Sequence, residues 1–429
     1  MKRGRGPDTI SKQLVAGQPM EKIILVDDDT ELLRVAEKRL SAAGYRVLTA
    51  SDGEAGLDLI RAERPRVVLL DLMMPRMHGF AVCQKIQNDP TLRGIQVIVT
   101  SAKAYPVDIQ KAKELGANAY LTKPYDLEEL VQKVKEALDA GGPPLSVKFW
   151  GTRGSIPTPG PKTVRYGGNT SCVEVRCRET ILMLDCGTGA REMGLALSRE
   201  FQGRPMDVHI FVGHTHWDHI QGFPFFQPAY TPGSRLTIYS LRGADKSLQK
   251  VFTGQMDASY FPVSLADLQA RLQFVELEKE VKIGEAKVSH LHLNHPGLAI
   301  GFRITVGRKS VIYLADHEPY WRVLGDTQHN RKLDAAVHEF AREADLYIRE
   351  AQYTDEEYAH RRGWGHSTWI DALESAHEAN VSLLALYHHD PMHDDEQLDR
   401  IVDACHTYMR ERGMNFVCFA ASDNLQMTL

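Results

Sequence analysis

From Glu21 onward, short apolar runs alternate with stretches in which apolar residues recur every three or four positions. KIILVD precedes a helical pattern over Glu31 to Ala43, YRVLTA one over Gly53 to Ala62, and RVVLLD one near His78 to Gln87. QVIVTS then precedes a helix around Val107 to Leu115, and AYLT an amphipathic helix from Leu127 to Ala140. An apolar run with no polar alternation is a strand buried on both faces, and such strands separated by helices make a parallel sheet covered above and below. Residues 21–140 are therefore predicted to be an open α/β domain. Residues 1–20 carry no periodicity and read as a disordered leader.

Gly141, Gly142, Pro143 and Pro144 stop the last helix, because proline supplies no N–H and glycine favours the chain reversal. Residues 141–145 are read as a linker and 146–429 as a second domain. There VKFWG, CVEVRC, TILMLD, VHIFVG, RLTIYS, KVSHLHL, IGFRITV, SVIYLA, ADLYIR, LLALYH and NFVCFA have strand character. Helical patterns lie near 189–200, 264–272, 334–343, 367–380 and 394–412. Many strands with few helices predict two packed sheets with helices outside.

Composition narrows the chemistry. Fifty-one basic against 56 acidic residues leave a formal charge of −5, so no global cationic field attracts a polyanion, and nucleic acid is not an expected partner. Six cysteines without a CxxC pair in 429 residues point to a reducing compartment and to buried thiols rather than disulfides. No apolar run approaches membrane-spanning length and the first twenty residues lack a signal-like stretch, so a cytoplasmic location is expected. Of 18 histidines only His78 precedes residue 209, which assigns different chemistry to the two halves.

In the first half the first, third, fourth and fifth strands end in charged or hydroxyl residues: Asp27 and Asp28, Asp71, Thr100 and Lys123. Carboxylates converging where parallel strands end repel one another, and a hard Mg²⁺ ion with oxygen ligands relieves that repulsion. The ion also orients a phosphoryl group arriving on a carboxylate, whose oxygens Thr100 and Lys123 can bind. With LVDDD, LLDLMMPRMHG, the strand ending in Thr100, and AYLTKP, residues 21–140 resemble the receiver domain of a two-component response regulator, with its flavodoxin-like (βα)5 fold. The resemblance implies that Asp71 is the phosphoacceptor, that Asp27, Asp28, Asp71 and the Met73 carbonyl hold Mg²⁺, and that Tyr120 is the aromatic switch. It also implies a cis Lys123-Pro124 bond, and as partner a sensor histidine kinase or phosphotransfer protein.

In the second half VGHTHWDHIQG brings His214, His216, Asp218 and His219 together after a strand. Imidazole and carboxylate without cysteine suit Zn²⁺, Mn²⁺ or Fe in an open catalytic site. The motif resembles the metallo-β-lactamase superfamily, an αββα sandwich, from about Ser146 to Leu429. The superfamily's further ligands are matched by His295 in LHLNHPG, Asp316 in VIYLADHE and His388 in LALYHHDP. The resemblance assigns His214, His216 and His295 to one ion, Asp218, His219 and His388 to a second, and Asp316 as the bridge. Two such ions make a water nucleophilic near neutral pH and clamp an in-line displacement. His389 is an alternative to His388, since strand alternation turns only one of them inward. His292 and His317 are read as packing or supporting groups, and Asp185 in LMLDCGTG as the partner that orients a ligand histidine.

The superfamily holds several hydrolases and oxidoreductases. GWGHSTWIDAL resembles the GHST element of ribonuclease Z and phosphoribosyl cyclic phosphate phosphodiesterases, where the histidine lies beside the scissile phosphate. His366 is accordingly read as the catalytic acid, next to the alternative of a helix-start histidine with a local hydrogen bond. QMDASYFPV reads as an apolar flap whose Tyr260 and Phe261 either cover the substrate or pack. The expected protein is a response regulator with a dinuclear metal phosphodiesterase output, acting on a small phosphodiester such as a cyclic nucleotide, with a homodimer admitted. The alternatives are a carboxyl ester, lactone or thioester hydrolase and a non-catalytic binding output.

Overall fold

The computed structural model describes residues 21–89, 92, 94–102, 106–140, 145–241 and 247–429, without the side chains of 106–109 and 139–140. The leader, 1–20, and residues 141–144 of the linker lie outside the described residues. The chain divides into two units, Met1–Gly141 and Gly142–Leu429.

In the first unit five parallel strands, β1 (Lys22–Val26), β2 (Arg46–Ala50), β3 (Val67–Asp71), β4 (Gln96–Ser101) and β5 (Ala119–Thr122), are ordered β2-β1-β3-β4-β5. The period of two along each strand divides the apolar residues between two cores. Ile24, Val26, Val68, Leu70, Val97 and Val99 point to one face, and Ile23, Leu25, Val67, Leu69 and Ile98 to the other. This is why the strands read as unbroken apolar runs. Helices Thr30–Ala42, Gly53–Glu63, Gly79–Asn88, Pro106–Glu114 and Leu127–Ala140 cover the two faces. Asp29 caps the first of them, its Oδ1 accepting from the N–H groups of Glu31 and Leu32, which fixes the turn that follows β1.

The second unit is a sandwich of two seven-stranded mixed sheets. The first comprises β6 (Leu145–Gly151), β7 (Cys172–Cys177), β8 (Thr180–Leu184), β9 (Asp207–Phe211), β10 (Arg235–Ser240) and β11 (Arg271–Glu276), in reverse order from one edge. The C-terminal strand Gln426–Thr428 pairs antiparallel with β6 at the other edge. The second sheet runs in chain order through β12 (Val281–Ile283), β13 (Ala286–Leu293), β14 (Ala299–Val306), β15 (Lys309–Leu314), β16 (Leu346–Glu350), β17 (Leu383–Tyr387) and β18 (Val417–Ala420). Leu182, Leu184, Val311, Tyr313, Leu346, Ile348 and Ala385 fill the space between the sheets. Their neighbours Ile181 and Met183 face an outer layer on the first sheet, and Ile312, Leu314 and Tyr347 one on the second. Each fully buried aliphatic side chain contributes about 1.5–3 kcal/mol, so the inner strands hold strand-end loops on a rigid base. Helix Gly189–Phe201 covers the first sheet; Gln328–Ala341, Trp369–Glu378 and Asp395–Arg412 cover the second.

The helical reading over 264–272 is corrected: the segment is a single 3₁₀ turn, Leu265–Asp267, followed by β11. Leu272 and Phe274 alternate onto the outer core while β11 pairs parallel with β10 over its whole length, and that pairing overrides local propensity. All six cysteines are free and buried. Among the described residues no helix is long and apolar enough to cross a membrane.

Candidate functional sites

Asp27, Asp28 and Asp71 meet at the ends of β1 and β3, one oxygen of each lying within 4.8 Å of the others. Asp27 and Asp71 are buried and Asp28 is exposed. Lys123, just past β5, places Nζ 2.7 Å from Asp27 Oδ2 and 3.4 Å from Asp71 Oδ1. Burial raises the Asp27 carboxyl, and Lys123 offsets only part of that rise. Burial works against the Lys123 charge as well, but its hydrogen bond and attraction to Asp27 leave it raised. Thr100 is buried on β4 in register with Asp71. Met73 lies two residues beyond Asp71 with an exposed side chain, Tyr120 is half-buried against one of the sheet cores, and the Lys123-Pro124 bond is cis. Three carboxylates around one ammonium form an oxygen donor set that fits a hard divalent ion.

In the second unit strand ends deliver the remaining candidates to one place. His214 and His216 follow β9, and Asp218 and His219 lie on the one-turn helix Trp217–Ile220. His295 follows β13, Asp316 follows β15 and His388 follows β17. Four ligand-like groups of three result: His214 with His216 and His295, His214 with His219 and Asp316, Asp218 with His219 and His388, and His295 with Asp316 and His366. Asp316 thus lies between the two histidine sets. His389 turns away, its Nε2 bonding the Ala421 carbonyl at 2.8 Å. His292 is exposed, and His317 accepts from the Asn294 N–H through Nδ1 at 3.1 Å.

Three of the rings are aimed by a hydrogen bond on the far nitrogen. His219 Nδ1 donates to Asp185 Oδ2 at 2.6 Å, His388 Nδ1 to Gln352 Oε1 at 3.0 Å, and His295 Nδ1 to the Gly365 carbonyl at 2.9 Å. The near nitrogens therefore present lone pairs to acceptors. His219 Nε2 is 3.2 Å from both Asp218 Oδ2 and Asp316 Oδ1, and His388 Nε2 is 3.1 Å from Asp218 Oδ2. His214 Nε2, Asp316 Oδ1 and His366 Nδ1 are buried without a hydrogen-bond partner. Acceptors crowded against acceptors require positive charge between them, so these residues fit divalent transition-metal ions.

The electrostatics express the same demand. Burial would raise the Asp218 carboxyl, but His219 and His388 hold it far below the carboxylate range; burial would likewise raise Asp316, which His388, His219 and His214 hold well below it. Burial opposes charge on His219, yet Asp218, Asp316 and Asp185 raise it well above the usual imidazole value. His388 is raised against burial by Asp316 and Asp218. His366, stacked on His388 with ring centroids 5.1 Å apart, is pulled down to about 3 by burial.

Several supporting residues escaped the sequence reading. The Ser155 N–H donates to Asp218 Oδ2 at 2.7 Å. Glu350, ending β16, accepts from the Ser367 N–H at 2.6 Å, and burial pushes it up to about 7. Glu318 accepts from the loop that carries His366. The available signal was an acidic residue at the end of an apolar run, in VIYLADHE and ADLYIRE, since a carboxylate there must be buried and bonded.

The cluster floors a cavity of about 500 Å³ lined by Ser155, Thr215, His216, Trp217, Asp218, Asp316, His366 and His388. Tyr260 and Phe261 do not line it: Tyr260 is exposed, and Phe261 packs edge-on against Phe225 at 5.3 Å. Trp217, 80% exposed, is the aromatic residue at the mouth.

A family model described as the response regulator receiver domain matches residues 23–135, and one described as a beta-lactamase superfamily domain matches 180–389. The probable transcriptional regulator ycf27 of Guillardia theta is 41% identical over 118 residues, 28% of this chain and 45% of that protein. The chain spans less than half the length of the curated relatives it matches. Among solved structures, the metallo-beta-lactamase fold protein YhfI from Bacillus subtilis aligns at 20% identity with a TM-score of 0.48, over 67% of this chain and all of that one. Human tRNase Z, short form, aligns at 19% identity with a TM-score of 0.44, over 66% and 98%.

Proposed function

We propose, for a chain that joins a response regulator receiver domain to a metallo-β-lactamase domain, that phosphorylation of Asp71 controls a dinuclear metal-dependent phosphodiesterase acting on a small phosphodiester. In the receiver domain, which implies a phosphodonor kinase, Asp27, Asp28, Asp71 and the Met73 carbonyl hold Mg²⁺. Thr100 donates to the phosphoryl oxygens and Lys123 neutralises them. In the output domain His214, His216 and His295 hold one ion, Asp218, His219 and His388 the other, and Asp316 reaches both. When bound, two divalent ions supply Lewis acidity and a water made nucleophilic near neutral pH.

The observation that carries the phosphodiesterase reading is His366, whose partnerless Nδ1 lies 3.8 Å from Asp316 Oδ2 in the wall of the cavity. A phosphodiester leaves as a poor alkoxide and gains from a donor at that position, whereas a strained lactone does not need one. Burial keeps the empty ring neutral; a phosphodiester anion seated beside it restores the charge partner that protonation requires. Asp185 aims His219, Asp218 acts with His366 as a catalytic residue in the cavity wall, and Trp217 offers a face for a planar group such as a nucleobase. A cyclic nucleotide fits a cavity of this size.

His366→Ala tests the reading. Both ions should stay while kcat falls roughly 10²–10⁴-fold, and the loss should be smaller for bis-p-nitrophenyl phosphate, whose leaving group needs no proton, than for an alkyl or ribose diester. Unchanged hydrolysis of every diester, with metals in place, would move the assignment to ester, lactone or thioester hydrolysis.

A further inference from the structure

Glu318 is 1% exposed, two residues beyond Asp316, and does not line the cavity. Its Oε1 accepts from the Tyr358 hydroxyl at 2.6 Å and the Gly363 N–H at 2.7 Å, and its Oε2 accepts from the Gly365 N–H at 2.7 Å. Among the described residues no ion pair neutralises it. A desolvated carboxylate held only by neutral donors is an expensive way to tie down a loop, because apolar packing would stabilise a purely structural loop at lower cost.

What this carboxylate fixes is the backbone that serves the cluster. Gly365 offers its carbonyl to His295 Nδ1 and is followed directly by His366. At φ 92° Gly365 occupies the left-handed region, and a Cβ there would come within 2.1 Å of His295 Nδ1, so the loop backbone lies against the ring itself. The main chain of Glu318 grips the residue that precedes the same histidine. Its N–H donates to the Asn294 carbonyl at 2.9 Å, and its carbonyl accepts from Asn294 Nδ2 at 2.8 Å. Asn294 immediately precedes His295, so one residue connects the strand ends that carry Asp316 and His295 with the loop that carries His366.

We propose that Glu318 is a positioning residue that sets the aim of His295 and His366 through the loop 363–366. The proposal rests on the reading of the cluster as a dinuclear metal centre. The carboxylate is needed as such: two N–H groups require an acceptor on both oxygens, and an amide presents one acceptor and one donor.

The experiment measures Zn²⁺ binding to the full chain by competition with a chromophoric chelator, together with thermal unfolding and with kcat and KM on a ribose diester beside bis-p-nitrophenyl phosphate. Glu318→Gln should remain folded, weaken one ion by about 10–100-fold as loss of a supporting partner does, and leave the other ion tight. Excess Zn²⁺ should restore only part of kcat on the ribose diester, the remaining loss reporting misplaced His366, with KM little changed. Glu318→Asp keeps the charge but falls a methylene short of the loop; it should give the same split and carries the test if the Gln variant does not fold. A folded variant with both ions and kcat at wild-type values, or an equal loss of both ions, would overturn the positioning role. A wild-type chain that binds no Zn²⁺ would instead overturn the metal centre itself.

Discussion

His219 shows how a single residue is committed by its surroundings. Its Nδ1 is taken by Asp185, whose carboxylate also accepts from the Gly213 N–H at 2.7 Å and the Tyr313 hydroxyl at 2.6 Å. With Asp185 held by two further donors the ring cannot rotate, and Nε2 must face Asp218 and Asp316. Asp316 occupies the shared position, so Asp316→Ala should lose most of both ions, measured as metal content after dialysis, while the fold persists. In the receiver domain Asp71→Asn should abolish labelling by a small phosphodonor, read by mass spectrometry of the intact chain. Asp71 is the carboxylate in reach of Lys123 that ends β3 beside Thr100. Most of the residues that meet in the two clusters were legible because a charged, hydroxyl or imidazole group closes or follows an apolar run. Gln352 and Gly365 were not, since an amide and a backbone carbonyl leave no pattern; their roles exist only once β16, β17 and the loop before His366 are in place.

At the level of elements, strand ends do the positioning and the backbone bends sharply there. Asp185 and His388, just past β8 and β17, adopt left-handed conformations with φ of 56° and 57°, a cost of about 1–3 kcal/mol each. The turn at His388 sends its ring into the cluster and its neighbour His389 to the opposite side, a distinction that strand alternation alone left open. The long inner strands were readable as apolar runs buried on two faces. The edge strands Val281–Ile283 and Gln426–Thr428 were not, because three residues cannot display a period. The last sheet edge also carries a titrating tie. Asp423 accepts from the Asn169 N–H at 3.1 Å, and burial pushes its carboxyl up to about 6. A carboxyl raised in the folded state favours folding when protonated, so its contribution is present below the unfolded value of about 4 and is lost as pH rises through about 6. Thermal unfolding of the wild type should therefore lose more stability between pH 4 and pH 7 than that of Asp423→Asn, and equal slopes would remove Asp423 as the source.

For the whole molecule, the two units have separate cores, one set confined to residues up to Leu138 and the other beginning at Leu145. Metal content and turnover can therefore be followed separately from phosphoryl uptake in the other unit. A small phosphodonor should change the diesterase rate of the wild type while leaving its metal content alone, and should leave the rate of Asp71→Asn unchanged. Assayed side by side, an identical response in both chains would disconnect the receiver from the output.

The burial of all six thiols has a consequence for how the protein meets oxidants. Burial raises Cys83 to about 12 and Cys172 and Cys186 well above the ordinary thiol value, which removes the thiolate that oxidants and alkylating agents attack. Neither donor set contains sulfur, so peroxide finds no ligand atom to convert to a sulfenate. A cluster of nitrogen and oxygen donors therefore lacks the sulfur through which peroxide attacks a cysteine-ligated centre.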